Sequence, residues 1–223
     1  AGLILSPPLS EMPEVLSELD QNQISYVRIL SGDGLFPSPL PYVLVNDFKA
    51  AYDITEHLIG QGHKNIAFIA GEEIHKSTIE RLNGYKAALE KAGIAIDESL
   101  IIKGTYSFET GVKSSETLLA MSPPPTAVFA CNDEIAAGTL FGARMKGVDV
   151  PQELAIAGFE NSPFSRQTFP PLTTASQPTN EIAQHAAASL IQYLRAKKAK
   201  AAHDNLNHTF IPELVVRAST EKQ

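Results

Sequence analysis

Short apolar strands and amphipathic helices alternate along almost the whole chain, and this alternation restricts its fold more than any other feature. Strand patterns cover residues 3–5, 25–30, 42–45, 65–70, 101–102, 127–130, 154–158 and 212–217. Helical patterns cover 11–19, 46–59, 77–92, 107–120, 133–145 and 179–198. Several boundaries carry their own signals. Asn46 and Asp47 suit a helix N-cap, Ser77 with Glu80 forms a capping-box pair, and Gly60-Gln61-Gly62 ends a helix. Residues 31–41, rich in Gly and Pro, read as a loop, 162–174 as mostly irregular, and Pro123-Pro124-Pro125 as a rigid connector. The run 65–70 is nearly all apolar, as expected of a strand buried on both faces. The fold class is therefore α/β with mainly parallel sheets. The opening Ala1-Gly2-Leu3-Ile4-Leu5 reads as a buried strand already under way, which suggests a truncated chain.

Charge and composition exclude several functions. A net charge of −7 repels phosphate backbones and anionic membrane surfaces. The single cysteine, Cys131, permits no intrachain disulfide and fits a reducing cytoplasm. No apolar run is long enough to span a bilayer, and no basic and apolar leader marks the chain for export. Enzyme signatures are absent: there is no G-x-S-x-G elbow, no Walker loop, and no G-x-G-x-x-G between strand and helix. The six histidines lack metal-ligand spacing. Two of them, His57 and His63, flank a helix end, where a structural or capping role is the better assignment. Cys131 reads as a small buried hydrophobe, since no cationic neighbour in sequence would lower its thiol pKa. No catalytic residue, cofactor or metal is expected.

The polar residues that stand out lie just past the C-terminal ends of strands, where open α/β sheets place their ligands. Past 67–70 come His75, Ser77 and Arg81; past 101–102, Tyr106 and Ser107; past 128–130, Asn132 and Asp133; past 156–158, Glu160 and Asn161. Donors, acceptors, one guanidinium and one aromatic face suit a polyhydroxylated or heterocyclic ligand. Each has a plainer alternative: a solvated helix charge for Arg81, core packing for Tyr106, a helix cap for Asn132, loop polarity for Glu160. Their shared strand-end register favours the joint functional assignment.

The same segments carry a family resemblance. Glu56-His57-Leu58-Ile59-x-x-Gly62-His63-Lys64-x-Ile66-Ala67-x-Ile69-x-Gly71 resembles the crossover between lobes in the lac repressor (LacI/GalR) family. Glu80-Arg81-x-x-Gly84-Tyr85, Pro125-Thr126-Ala127-x-Phe129-x-x-Asn132-Asp133-x-x-Ala136-x-Gly138 and Val150-Pro151-x-x-Leu154-Ala155-Ile156-x-Gly158-Phe159 resemble further motifs of that family. Pro171-Leu172-Thr173-Thr174-x-x-Gln177-Pro178 and Leu214-Val215-Val216-Arg217-x-Ser219-Thr220 complete the series in the family's order. Where the family has Gly-[Phe/Tyr]-Asp-Asp, this chain has Gly158-Phe159-Glu160-Asn161, with a longer carboxylate arm.

The resemblance implies a two-lobed, periplasmic-binding-protein-like fold with the first lobe incomplete. Residues 1–61 and 175–203 would form the first lobe, and 62–174 and 204–223 the second. It implies the ligand-sensing domain of a repressor-type transcription regulator, cytoplasmic and without enzymatic activity. A small effector, sugar first and nucleobase second, would bind between the lobes. Arg81, Ser77, His75, Tyr106, Asn132 and Glu160 fall on effector-contacting positions. The implied partners are operator DNA, through a helix-turn-helix absent from this chain, and a second copy in a homodimer. The apolar face of helix 133–145, with Ile135, Leu140 and Phe141, is a candidate for that pairing. A periplasmic-type sugar-binding protein of the same fold is the alternative.

Overall fold

The structure, a computed structural model, describes residues 1–32, 40–202 and 205–221; most of the loop expected over 31–41, and His203, lie outside the described residues. In chain order the elements are β1 (Gly2–Leu5), α1 (Pro13–Gln21), β2 (Ser25–Ser31), β3 (Tyr42–Val45), α2 (Asp47–Gly60), β4 (Ile66–Ile69), α3 (Lys76–Lys91) and β5 (Ile101–Ile102). They continue with α4 (Phe108–Leu119), β6 (Ala127–Ala130), α5 (Asp133–Met145), β7 (Ala155–Ala157), α6 (Pro163–Gln167), β8 (Thr174–Ser176), α7 (Thr179–Ala199), β9 (His208–Phe210) and β10 (Glu213–Val215). The chain divides into two compact units, Ala1–Asp47 with Pro178–Ile211 and Phe48–Gln177 with Pro212–Gln223.

The first unit holds a parallel sheet in the order β1-β2-β3-β9. Helix α7 places Ile182, Ala186 and Leu190, spaced by four, on one face of it, against Val27, Val43 and Val45. Strand β1 is not the buried strand its sequence suggests. Among the described residues it pairs with β2 alone, and it lies at the sheet edge with Leu3 and Ile4 exposed.

The second unit holds the parallel sheet β5-β4-β6-β7 and a small antiparallel pair, β8 with β10. All residues of β4 and β6 are buried, as their unbroken apolar runs require. Phe68 sits at the centre, 5.2 Å from Phe129 edge-on and 5.3 Å from Tyr85 between ring centroids. Each such side chain contributes about 1.5–3 kcal/mol through removal of apolar surface from water. Helices α4 and α5 touch backbone to backbone at Gly111 and Gly138: a Cβ on Gly138 would stand 2.0 Å from the Phe108 carbonyl oxygen.

Four expectations need correction. Helix α2, assigned to the first lobe, packs in the second unit: Ala50, Ala51, Ile54 and Leu58 join the core of Phe68 and Tyr85, and Gly84 brings α3 onto the α2 backbone. Strand β9, assigned to the second lobe, hydrogen-bonds along β3 in the first. Helix α3 starts at Lys76 with His75 at its N-cap and no side-chain cap bond, so the Ser77–Glu80 capping box does not form. Of the α5 residues named for pairing, Ile135 and Leu140 are buried in the unit's own core, and only Phe141 is exposed. The short α6 and β8 lie in stretches without a periodic pattern. His57 and His63 have structural partners: His57 Nε2 lies 2.8 Å from Thr220 Oγ1, and His63 Nδ1 2.9 Å from Thr126 Oγ1.

Candidate functional site

The parallel topology of β4, β5, β6 and β7 brings their C-terminal ends to one rim of the second unit. Arg81, on the second turn of α3, is buried, with 4% of its side chain exposed. Its NH1 donates a 2.7 Å hydrogen bond to the Cys131 carbonyl at the end of β6. Its guanidinium carbon lies 3.8 Å from the centroid of the Phe159 ring, past β7, and NH1 is 3.9 Å from Glu160 Oε1. A planar cation stacked on a ring and aimed at a carboxylate is held in one orientation, which lysine could not reproduce. Glu160 keeps 37% of its side chain exposed.

Tyr106 occupies the neighbouring part of the rim. Its backbone N–H donates to Glu72 Oε2 at 3.1 Å, and its ring lies on Gly71, where a Cβ would stand 2.4 Å from the ring. Its hydroxyl is turned into the protein, 2.7 Å from Thr78 Oγ1, 3.4 Å from Ser77 Oγ and 3.5 Å from Cys131 Sγ. Burial pushes this phenol well above its ordinary pKa. Half-buried His75 meets the Tyr106 ring edge-on at 5.6 Å. Gly71 and His75 therefore cover part of the aromatic surface expected for stacking.

Asn132 is buried and does what the plainer alternative held: its side-chain oxygen accepts from the Ile135 N–H at 2.9 Å, capping α5. The carboxamide NH2 carries two further donors. Cys131 joins the two halves of the site, its carbonyl bound to Arg81 and its thiol beside Tyr106.

Several residues outside the expected set shape this rim. Glu160 and Asn161 have φ of 104° and 57°. For a glutamate such backbone costs about 1–3 kcal/mol and persists only where neighbours hold it. Asp133 is fully buried; its Oδ2 accepts from the Ser162 N–H at 2.7 Å and its Oδ1 from the Thr174 hydroxyl at 2.6 Å. Strand-end position and the family motifs were the sequence signals for Asp133 and Asn161, the motif alone for Phe159, and Thr78 gave none. Clefts of about 260 and 270 Å3 open elsewhere, both lined by Arg144 and Phe169, and none of the six expected ligand-contacting residues lines either.

Burial raises the Asp133 pKa, outweighing its hydrogen bonds and the positive charge of Arg217. The folded chain thus holds this proton more tightly than the unfolded chain. The contribution of Asp133 to stability is most favourable below the ordinary aspartate range and declines as pH rises through that range to the raised folded value. In urea melts over the acid-to-neutral range, wild type should lose stability relative to Asp133→Asn across that window and run parallel above it. A difference that grows in favour of wild type with pH would contradict the burial argument.

Among the described residues, no three or more His, Cys, Asp or Glu are grouped to hold a metal ion, and no helix is long and apolar enough to cross a membrane. Residues 55–220 match the family described as a periplasmic binding protein-like domain. The HTH-type transcriptional regulator DegA of Bacillus subtilis is 37% identical over 206 residues, 92% of this chain and 59% of its own length. The HTH-type transcriptional repressor CytR of Escherichia coli is 38% identical over 181 residues, 81% of this chain and 52% of its own. The chain thus spans little more than half the length of these curated relatives. Among solved structures, a transcriptional regulator CelR–cellobiose complex superposes with a TM-score of 0.87 at 29% identity, covering 98% of this chain and 65% of that one. A LacI-family regulatory protein from Chloroflexus aggregans gives 0.86 at 28% identity, covering 99% and 76%.

Proposed function

Because this chain belongs to the periplasmic binding protein-like domain family, in the form found in LacI-family regulators, we propose that it is the ligand-sensing part of a DNA-binding transcriptional repressor. In that role it recognises a small effector and catalyses nothing, and it works in the cytoplasm with its operator. The observation that carries the reading is the Arg81 cluster: a buried guanidinium held by the Cys131 carbonyl and the Phe159 ring, facing a partly open carboxylate on Glu160. Paired donors and acceptors of this kind recognise adjacent hydroxyls.

The effector class is a sugar. A flat nucleobase stacks best on an open aromatic face, and part of the Tyr106 ring is taken up by Gly71 and His75. One structural neighbour is described as a cellobiose complex, which fits. Ligand acts through its differential affinity for two states of the protein. A thermal-shift panel of mono- and disaccharides, cellobiose included, and nucleosides on the full-length gene product tests this. A sugar at a hundredfold over its Kd should raise the melting temperature by about 5–10 °C. A panel in which only nucleosides shift the melt would replace the sugar reading.

The same reading assigns a homodimer, and its pairing face is narrower than the sequence suggests. Phe141 and Met145 on α5 are 50% and 71% exposed, and Phe169 is 78% exposed. Phe141 and Phe169, with Phe108 and Phe164, line an apolar cleft of about 270 Å3. So large an apolar surface fits a second copy of this chain. Phe141→Glu should weaken association by about 2 kcal/mol, roughly thirtyfold, in sedimentation equilibrium at micromolar concentration. A monomeric wild type, or a variant that pairs as tightly, would move the interface elsewhere.

A further inference from the structure

Glu160 and Asn161 stand side by side in the left-handed region of backbone space, at φ 104° and 57°. Among the described residues the other non-glycine positions with positive φ are Gln23 and Lys200. Asparagine tolerates this region; glutamate leaves it unless its neighbours fix it. The fixing bonds run through the residues around Asn161. The Glu160 N–H donates to the Ala175 carbonyl at 2.8 Å, and the Asn161 N–H to Thr174 Oγ1 at 3.2 Å. The Asn161 carboxamide is used at both ends: Nδ2 donates to Ser176 Oγ at 3.0 Å, while Oδ1 accepts from Arg217 NH2 at 2.7 Å and from Ser165 Oγ at 3.3 Å.

Arg217 is itself anchored. Its NH1 donates to the Leu172 carbonyl at 2.7 Å and its backbone N–H to Thr173 Oγ1 at 2.8 Å. Apart from Ser165 on α6, the partners of Asn161 lie on β8 and just past β10, which pair antiparallel. These two strands adjoin the points where the chain leaves the second unit after Gln177 and returns at Pro212.

We propose that Asn161, clamped by Arg217, is the positioning residue of the ligand site. It holds Glu160 in its left-handed conformation, so that the carboxylate stays toward Arg81, and it links that carboxylate to the strands at the unit boundary. The assignment rests on the reading of Glu160 as a ligand-holding group. A ligand that pulls on Glu160 would then load β8 and β10 through two side chains.

Amide hydrogen exchange on the ligand-free full-length protein tests this for wild type, Arg217→Met, Asn161→Ala and Asn161→Asp. Arg217→Met and Asn161→Ala should each speed exchange at the Glu160 and Asn161 amides about tenfold or more, leaving β4 and β6 as protected as before. Asn161→Asp should stay within about threefold of wild type, since a carboxylate still accepts from Arg217 and the Ser176 hydroxyl can turn to donate. Unchanged exchange in Arg217→Met overturns the proposal. So does loosening that spreads equally to β4 and β6, or failure of Asn161→Asp to restore protection. The ligand reading fails by a different result: Glu160→Gln would give an unaltered thermal shift in the sugar panel, whatever the exchange rates are.

Discussion

Arg81→Met should lower effector affinity about a hundredfold and reduce the stability of the second unit. The side chain makes a charged hydrogen bond to the Cys131 carbonyl, stacks on Phe159 and faces Glu160. Methionine fills similar space but donates nothing. The lost charged bond costs about 1.5–3 kcal/mol and the lost stacking about 0.5–2 kcal/mol. In the liganded protein, hydroxyls left without their donor add a similar penalty, so affinity should fall about a hundredfold. Arg81→Lys should rescue little, because an ammonium neither stacks as a plane nor donates along two parallel directions. Calorimetric titration with the sugar identified by the panel, below the melting point of each variant, separates folding from binding. A well-folded Arg81→Met protein with wild-type affinity would make Arg81 purely structural. Glu160→Gln, whose side chain is partly exposed, should lose about tenfold in affinity with little change in melting temperature.

Gly138→Ala should be the most damaging single methyl in the second unit. A Cβ there would stand 2.0 Å from the Phe108 carbonyl oxygen and 3.2 Å from Gly111 Cα, and a Cβ on Gly111 would meet the Ile135 carbonyl oxygen at 2.1 Å. These obstacles are backbone, so relief requires α4 and α5 to separate. Alanine gains about 1 kcal/mol of helix propensity over glycine. Overpacking a rigid contact costs about 1–3 kcal/mol or more, and rigid backbone on both sides puts this site at the top of that range. The net loss should be about 2 kcal/mol, read as a lower urea midpoint with an unchanged slope. Because α5 begins at Asn132 and Asp133, the shift should also loosen the ligand rim. A variant as stable as wild type would mean that the two helices can part at no cost.

Local signals located most elements, because their causes lie within a few residues of each other. The unbroken apolar runs of β4 and β6 call for strands buried on both faces, and Ser107 and Asn132 each accept from a backbone N–H three residues on. Those strand ends pointed to Arg81 and Glu160, which the fold brings within 3.9 Å of each other, and to Tyr106 and Asn132, which meet Cys131 and cap α5. The same local logic failed at α6, β8 and β9, which are only three to five residues long. Elements that short have no room for a period; β8 and β9 exist because β10 and β3 satisfy their backbone.

What the sequence by itself determined is the α/β class, the family and the strand-end rim on which the candidate residues lie. What only the tertiary structure decided is where each polar or apolar face finds its partner. The apolar stripe of α2 states that the helix is buried, yet not that Phe68 and Tyr85 of the second unit receive it. The hydroxyl of Tyr106 could have met a ligand, and instead it meets Thr78 and Cys131, 28 and 25 residues away. Asn161 reads as loop polarity until Arg217, 56 residues on, closes over its carboxamide. Periodicity and capping act through adjacent bonds along one chain segment. Hydrogen bonds and packing act through space, and only the folded topology brings their two halves together.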